Sequence, residues 1–448
     1  MLMSELRSRE FSRLDESDHA YLDYTGAALY PTSLVEAHAA MLRDAVLGNP
    51  HSESQASLAS SALIAEARER VKRFFHADDY ELCFTPNATG AIRLVAESYP
   101  FAPGRSLVLT SDNHNSINGI REYARRAGAR VHYLAMNHDL HLAAATLPDD
   151  AGLLAFPAQS NFSGVKHSLD LVGRAQDRGC AVLLDAAAFV PTSILDLRAI
   201  RPDFVALSFY KMFGYPTGVG ALLVRKDALP KLRRPWFAGG TVDHVTIDPP
   251  MHALLGGAEG FEDGTANFLA IGAIPNGLRW LETVGVERIG EHAGALARRL
   301  AAALATLRHR NGRPVVRQYG PRDWSVRGAV VAFNVLDARG AILSHELVER
   351  EARDVRVSVR GGCFCNPGVA EAIGAGYEAP VPGAVRASLG AANDERDIDR
   401  LVELVATVAT VATRRLAARR NQRTSLAASA PAPAGSLATA HRTARRLR

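Results

Sequence analysis

Between residues 80 and 225 the chain alternates short apolar runs with longer segments whose apolar positions recur at helical spacing. ELCFT (81–85), SLVLT (106–110), RVHYL (130–134), GLLAFP (152–157), AVLLD (181–185), FVALS (204–208) and GALLVR (220–225) are five or six residues each. That length, with mostly branched or aromatic apolar side chains, predicts strands. Strands alternating with helices predict an α/β fold around a mainly parallel, seven-stranded sheet. Ligands of such sheets collect at the carboxyl ends of the strands. Upstream, a charged arm (1–20) leads into a short strand and a Gly/Pro-rich turn (21–31), then helices at 33–47 and 57–75 on either side of a polar loop, GNPHSES. Downstream, a helix is predicted near 270–284. AVVAFNVL, RVSVRGG and AVRASLG then read as strands of a smaller α+β domain, closed by a helix near 394–415. The division expected is an arm (1–20), a large domain (21–284), a small domain (285–415) and a basic tail (416–448). The tail, rich in Ala, Ser, Pro and Arg, lacks the apolar surface needed to offset its ordering entropy and is expected to be disordered.

Composition changes this picture in three places. The net charge is +5, but residues 413–448 hold nine arginines and no acidic residue, which leaves −4 on the remainder. The folded body is therefore not a basic surface, and nucleic acid is not the expected substrate. No apolar run reaches the roughly 20 residues of a membrane span, and the first residues are charged throughout, so a cytoplasmic protein is expected. Finally, only five lysines (Lys72, Lys166, Lys211, Lys226, Lys231) stand against 47 arginines. Arginine serves wherever any cation will do, but it cannot lose its proton to form a Schiff base, so each retained lysine deserves inspection.

Lys211 is the one in a chemical setting. It follows a predicted strand in SFYKMFGYPTGVG, between hydroxyl side chains and a glycine-rich return that permits close backbone approach. Asp185 ends another strand one βα unit upstream, in LLDAAAF, and FTPNATGAI (84–92) runs from strand through a small-residue turn into a helix. Singly, these are a surface lysine, a capping aspartate and an ordinary helix start. Together they suit pyridoxal 5'-phosphate (PLP): an amine for its aldehyde, a carboxylate for its pyridine nitrogen, and a helix N-terminus with the Thr89 hydroxyl for its phosphate.

The segments NAT, DNHNSINGIREYA, FPAQSNFSGVKHSLD, LLDAAAFVP, SFYKMFG, FEDGTAN, RGGCFCNPG and VRASLG, in that order, resemble class V, fold-type I PLP enzymes. Within them the chain is most similar to the cysteine desulfurase-like domain of molybdenum cofactor sulfurases, over roughly residues 21–412. The resemblance implies that Lys211 carries the cofactor and moves protons, that Asp185 holds the pyridine nitrogen and that His114 stacks on the ring. It implies a phosphate held by the Ala88 N–H, Thr89, Ser208 and Tyr210, with Thr265 reaching in from a partner subunit of a homodimer. Asn161 would sit near the cofactor's phenolic oxygen and the substrate carboxylate, Arg386 would clamp that carboxylate bidentately, and Arg360 is counted with them for substrate binding. One departure stands out: where desulfurases of the general kind carry Gln or His three residues after the aspartate, this chain has Ala188. The phenolic oxygen's partner is then missing or supplied elsewhere, Asn161 being a candidate.

RGGCFCNPG (360–368) holds two of the four cysteines, Cys363 and Cys365, and is expected to be an exposed loop in which Arg360 favours the thiolate. By the desulfurase pattern the sulfur carrier falls at Cys365. The resulting expectation is conversion of L-cysteine to L-alanine with a persulfide left on Cys365. The eukaryotic sulfurases carry a further C-terminal domain that this length does not accommodate, so the sulfur acceptor would be a separate protein or small molecule. Other readings of Cys-x-Cys are a metal site, which lacks accompanying Cys or His ligands, and a strained redox disulfide. The main alternative is an inert pair in a class V aminotransferase, lyase or epimerase; a PLP-binding protein without catalysis is a third reading.

Overall fold

The computed structural model describes residues 2–142 and 146–428, with side chains through Val411. All seven strands expected between residues 80 and 225 are present and form one sheet: β1 (Tyr80–Thr85), β2 (Ser106–Thr110), β3 (Val131–Leu134), β4 (Ala151–Pro157), β5 (Ala181–Asp185), β6 (Phe204–Ser208) and β7 (Gly220–Arg225). Their order is β1-β7-β6-β5-β4-β2-β3; β7 runs antiparallel to both neighbours and the other pairs are parallel.

Helices cover both faces of this sheet, which is why its strands read as continuous apolar runs rather than alternating ones. In β4 every residue is buried: Leu154 and Phe156 join the core on one face, Leu153 and Ala155 that on the other. Register brings the strand ends together, pairing Pro157 with Asp185 and Ser208 with Gly220. The chemistry-bearing positions thereby converge on one edge.

A second, four-stranded sheet holds β8 (Val316–Tyr319), β9 (Val330–Val335), β10 (Arg360–Gly362) and β11 (Ala384–Ser388) in the antiparallel order β8-β9-β11-β10. Helices Val286–Thr306 and Glu395–Ala428 cover one face through Leu296, Leu300, Leu401 and Val405 against Val331 and Phe333. The opposite face carries Ala332 and Ala384, against Phe162 and Phe364 of the loops around the site.

The helix Val286–Thr306, strand β8 and a hairpin of Val242–Thr246 with Met251–Leu254 were not expected from the pattern. Two glycines, Gly290 and Gly294, dilute the helical signal of the first, although its apolar face is regular. The charged arm is packed rather than loose: Leu6, Phe11 and Leu14 are buried, and Arg7 pairs with buried Asp397 at 2.8 Å. The last helix continues to Ala428 instead of stopping near Arg415, because the stretch up to Ala428 contains neither Gly nor Pro. Residues 429–448 of the expected tail lie outside the described residues. No helix among the described residues is long and apolar enough to cross a membrane.

Candidate active site

The carboxyl ends of β4, β5 and β6 open into a cavity lined by Lys211, Asp185, His114, Asn161, Ser208 and Tyr210, with Ala88 and Thr89 at one end. Lys211 is placed there by the single-turn helix Phe209–Phe213 that follows β6 directly. Its amine has no hydrogen-bond or ion-pair partner among the described residues. Burial lowers its proton affinity, with Arg386 and Arg360 acting the same way and Asp185 and Asp23 opposing. Asp185 is buried and spends one oxygen on the Ala187 N–H at 3.0 Å, which leaves the other available.

At the opposite end Asn87 caps the helix Ala88–Ser98, its side chain accepting from the Gly90 N–H at 3.0 Å. The Ala88 N–H donates to the Ser208 hydroxyl at 2.8 Å, and the Thr89 and Ser116 hydroxyls meet at 2.8 Å. Thr217 and Gly218 complete this end. A Cβ on Gly220 would lie 2.6 Å from the backbone of Asn87, so only glycine lets β7 run this close to the turn. His114 accepts from the Ser116 N–H through Nδ1 at 3.1 Å, and burial, the largest influence on it, holds the ring toward its neutral form.

These groups fit pyridoxal 5'-phosphate. The cavity offers an unpaired buried amine for the aldehyde, a carboxylate with a free oxygen for the ring nitrogen, and hydroxyls at a helix N-terminus for the phosphate. Because only the neutral amine attacks an aldehyde, the depressed proton affinity of Lys211 has a measurable consequence. Cofactor-free protein mixed with PLP at a series of pH values is expected to gain its visible absorbance faster as pH rises. The rate should level off below the ordinary lysine pKa; a midpoint at or above that value would show the amine is not held as described.

The other expected residues fall less simply. Asn161 lines the cavity, but its amide N–H donates to the Phe364 carbonyl at 2.7 Å and its oxygen accepts from Asn366 at 3.0 Å. Its first task is thus to hold the cysteine loop. Arg386 is buried with one nitrogen on Asp23 at 2.9 Å and another on the Asn161 carbonyl at 2.7 Å, leaving Nε unpaired. Arg360 also turns to Asp23, at 2.5 Å, so its charge is shared with that carboxylate rather than kept for a thiolate. Asp23, set between two guanidinium groups, escaped the sequence reading because its partners lie over 330 residues away. Thr265 is exposed, hydrogen-bonds Asn49 at 3.3 Å, and is not part of this cavity within one chain. Gln159, also missed, lines the cavity beside Ala188, donating to the Ala188 carbonyl at 2.9 Å.

Geometry separates the two loop cysteines. Cys365 is exposed, whereas Cys363 is half-buried with its sulfur 4.0 Å from the Ala375 carbonyl, and burial pushes its thiol up. Cys83 and Cys180 are buried. The loop is not the free surface loop expected. Phe364 is buried, and the Cys365 carbonyl accepts from the Asn115 N–H at 2.7 Å, next to His114. The thiol-bearing residue is therefore fastened to the segment that lines the cavity. Among the described residues no cluster of His, Cys, Asp and Glu could hold a metal ion.

A family profile described as Aminotransferase class-V matches residues 20–401. Human molybdenum cofactor sulfurase is 38% identical over 399 residues, covering 82% of this chain and 45% of that protein. The tomato (Solanum lycopersicum) protein of the same name is 36% identical over 408 residues, covering 82% and 50%. The chain thus spans about half the length of these curated relatives. Among solved structures, the apo cysteine desulfurase of Thermococcus onnurineus superposes with a TM-score of 0.80 at 26% identity, covering 92% of this chain and 99% of that one. An Escherichia coli cysteine desulfurase at 23% identity and a TM-score of 0.79, covering 92% and 99%, shares the fold.

Proposed function

We propose, from the premise that this chain belongs to the aminotransferase class-V family, that it is a PLP-dependent cysteine desulfurase serving as a sulfurtransferase. The observation that carries this reading is the exposed Cys365, fastened by its backbone beside His114 at a cavity that contains Lys211 and Asp185. PLP, when bound, supplies an electron sink for charge developing at the substrate Cα. Lys211 removes and returns a proton at that carbon, its low proton affinity keeping a neutral amine available. Arg386, with an unpaired donor and a second nitrogen shared with Asp23, is the group for the substrate carboxylate. The Cys365 thiolate bonds to the substrate sulfur as the Cβ–S bond breaks. The electron pair of that bond stays with the substrate carbon and Cβ takes up a proton, so that L-cysteine and one thiol become L-alanine and one persulfide.

The test is a panel of amino acids followed through the cofactor's absorbance, with products identified for each hit. L-cysteine is expected to give alanine and protein-bound sulfur. Turnover of another amino acid without sulfur transfer would instead make this a class V aminotransferase, lyase or epimerase.

The same reading includes a homodimer in which a second copy brings Thr265 to the cavity. The exposure of Thr265 supports it, as do the exposed apolar residues Val245, Ile247 and Met251 on and beside the hairpin. Light scattering is expected to give twice the chain mass; a monomer with full activity would contradict it. A separate acceptor receives the sulfur, in the cytoplasm, where reducing conditions keep Cys365 a thiol between turnovers.

A further inference from the structure

The loop that carries Cys365 departs from ordinary backbone at two successive side-chain-bearing residues, with φ of +52° at Phe364 and +56° at Cys365. Left-handed backbone is disfavoured at any residue that carries a side chain, so the surroundings must impose the shape. They do so through Asn366. Its side chain is fully buried and donates to Asp112 Oδ1 at 2.6 Å and to Asn161 Oδ1 at 3.0 Å. Asp112 is equally buried. Its Oδ1 also accepts from the Ser160 hydroxyl at 2.9 Å, and its Oδ2 meets His167 Nε2 at 2.9 Å. A single carboxylate therefore ties the cysteine loop to the segment leading into His114 and to the loop that holds Asn161. Gly368 completes the fit: its backbone lies so close against the Ser111 carbonyl that a side chain there would collide.

We propose that Asp112 and Asn366 are positioning residues that hold the Cys365 loop against the cavity for sulfur transfer, a role that rests on the desulfurase reading above. Neither touches the reacting atoms. A carboxylate buried away from water needs hydrogen-bond donors. Those around Asp112 come from two segments, Asn366 of the cysteine loop and Ser160 and His167 of the loop that holds Asn161, so losing Asn366 frees the cysteine loop while the other two donors stay. A displacement of about 1 Å at a reacting group costs on the order of 100-fold in rate.

The discriminating variant is Asn366→Ser. Serine is too short to reach Asp112 but can still cap the helix Pro367–Ala372, as Asn366 does by accepting from the Val369 N–H at 3.4 Å. In the holoenzyme, kcat for alanine formation is expected to fall about 10- to 100-fold, with KM for L-cysteine and the cofactor's absorbance unchanged. Amide hydrogen exchange across residues 361–368 is expected to accelerate while the sheet keeps its protection. Asp112→Ala, which removes the acceptor of the Asn366 hydrogen bond and leaves the loop sequence intact, should give the same split. Unaltered exchange and kcat in both variants would overturn the proposal, as would a loss confined to KM or to cofactor binding. The exchange arm needs no L-cysteine. Faster exchange in a protein whose wild type makes no alanine would leave the clamp standing and remove the desulfurase reading.

Discussion

Lys211→Ala protein mixed with PLP is expected to show no covalent attachment, losing the band near ~420 nm that the wild type acquires, and to form alanine about 1,000-fold more slowly or worse. The loss is predicted to be this complete because no other amine can take over. Lys72 pairs with Glu69, Lys226 donates to the Asp78 carbonyl, Lys166 lies over the Phe189 ring, and neither these nor Lys231 lines the cavity. Lys211→Arg should fail as fully, since guanidinium stays protonated where a neutral amine is required. The fold should survive Lys211→Ala, because the amine makes no hydrogen bond or ion pair among the described residues for the fold to lose. Borohydride reduction followed by peptide mapping decides the matter. A cofactor adduct recovered on any peptide other than the one containing residue 211 would remove the basis of the functional reading.

The second large effect is expected at Cys365. Cys365→Ala should retain the wild-type visible spectrum and cofactor affinity, yet lose protein-bound persulfide and at least about 100-fold in alanine formation, since no other cysteine among the described residues is exposed. Cys363 is the poorer candidate, because its half-buried sulfur lies by the Ala375 carbonyl and burial pushes its thiol up. Alanine adopts the same left-handed backbone at about the same cost as cysteine, so the loop should hold its shape. Measuring alanine, sulfide and persulfide in parallel separates the outcomes. Undiminished sulfide with no persulfide would mean direct lyase chemistry at the cavity, and persulfide recovered on Cys363 would reverse the assignment of the two thiols.

The strands that build the site were legible because each is buried on both faces, so that AVLLD and FVALS announce themselves without their neighbours. Lys211 and Asp185 were legible for a related reason: each is the polar residue placed at or just beyond the end of such a run, where a parallel sheet presents its ligands. The helix Val286–Thr306 was not, as two glycines dilute its helical signal and its regular apolar stripe finds its meaning only against β9. Asn366 had a faint local signal, an Asn–Pro pair at a helix start, which points to a cap but says nothing of a partner 254 residues away.

By itself, then, the sequence determined the seven strands between residues 80 and 225, the amine and the carboxylate that suit the cofactor, and the loop in which a reactive thiol must be sought. Those properties depend on neighbours within a few residues, through burial periodicity, turn chemistry and side-chain type. Only the tertiary structure decided which of two cysteines is presented, that Asn161 is largely occupied by the cysteine loop, and that Arg360 and Arg386 share the single carboxylate of Asp23. Such facts turn on hydrogen bonds and ion pairs between segments hundreds of residues apart. No local pattern records them, because the polar groups involved meet only in the folded chain.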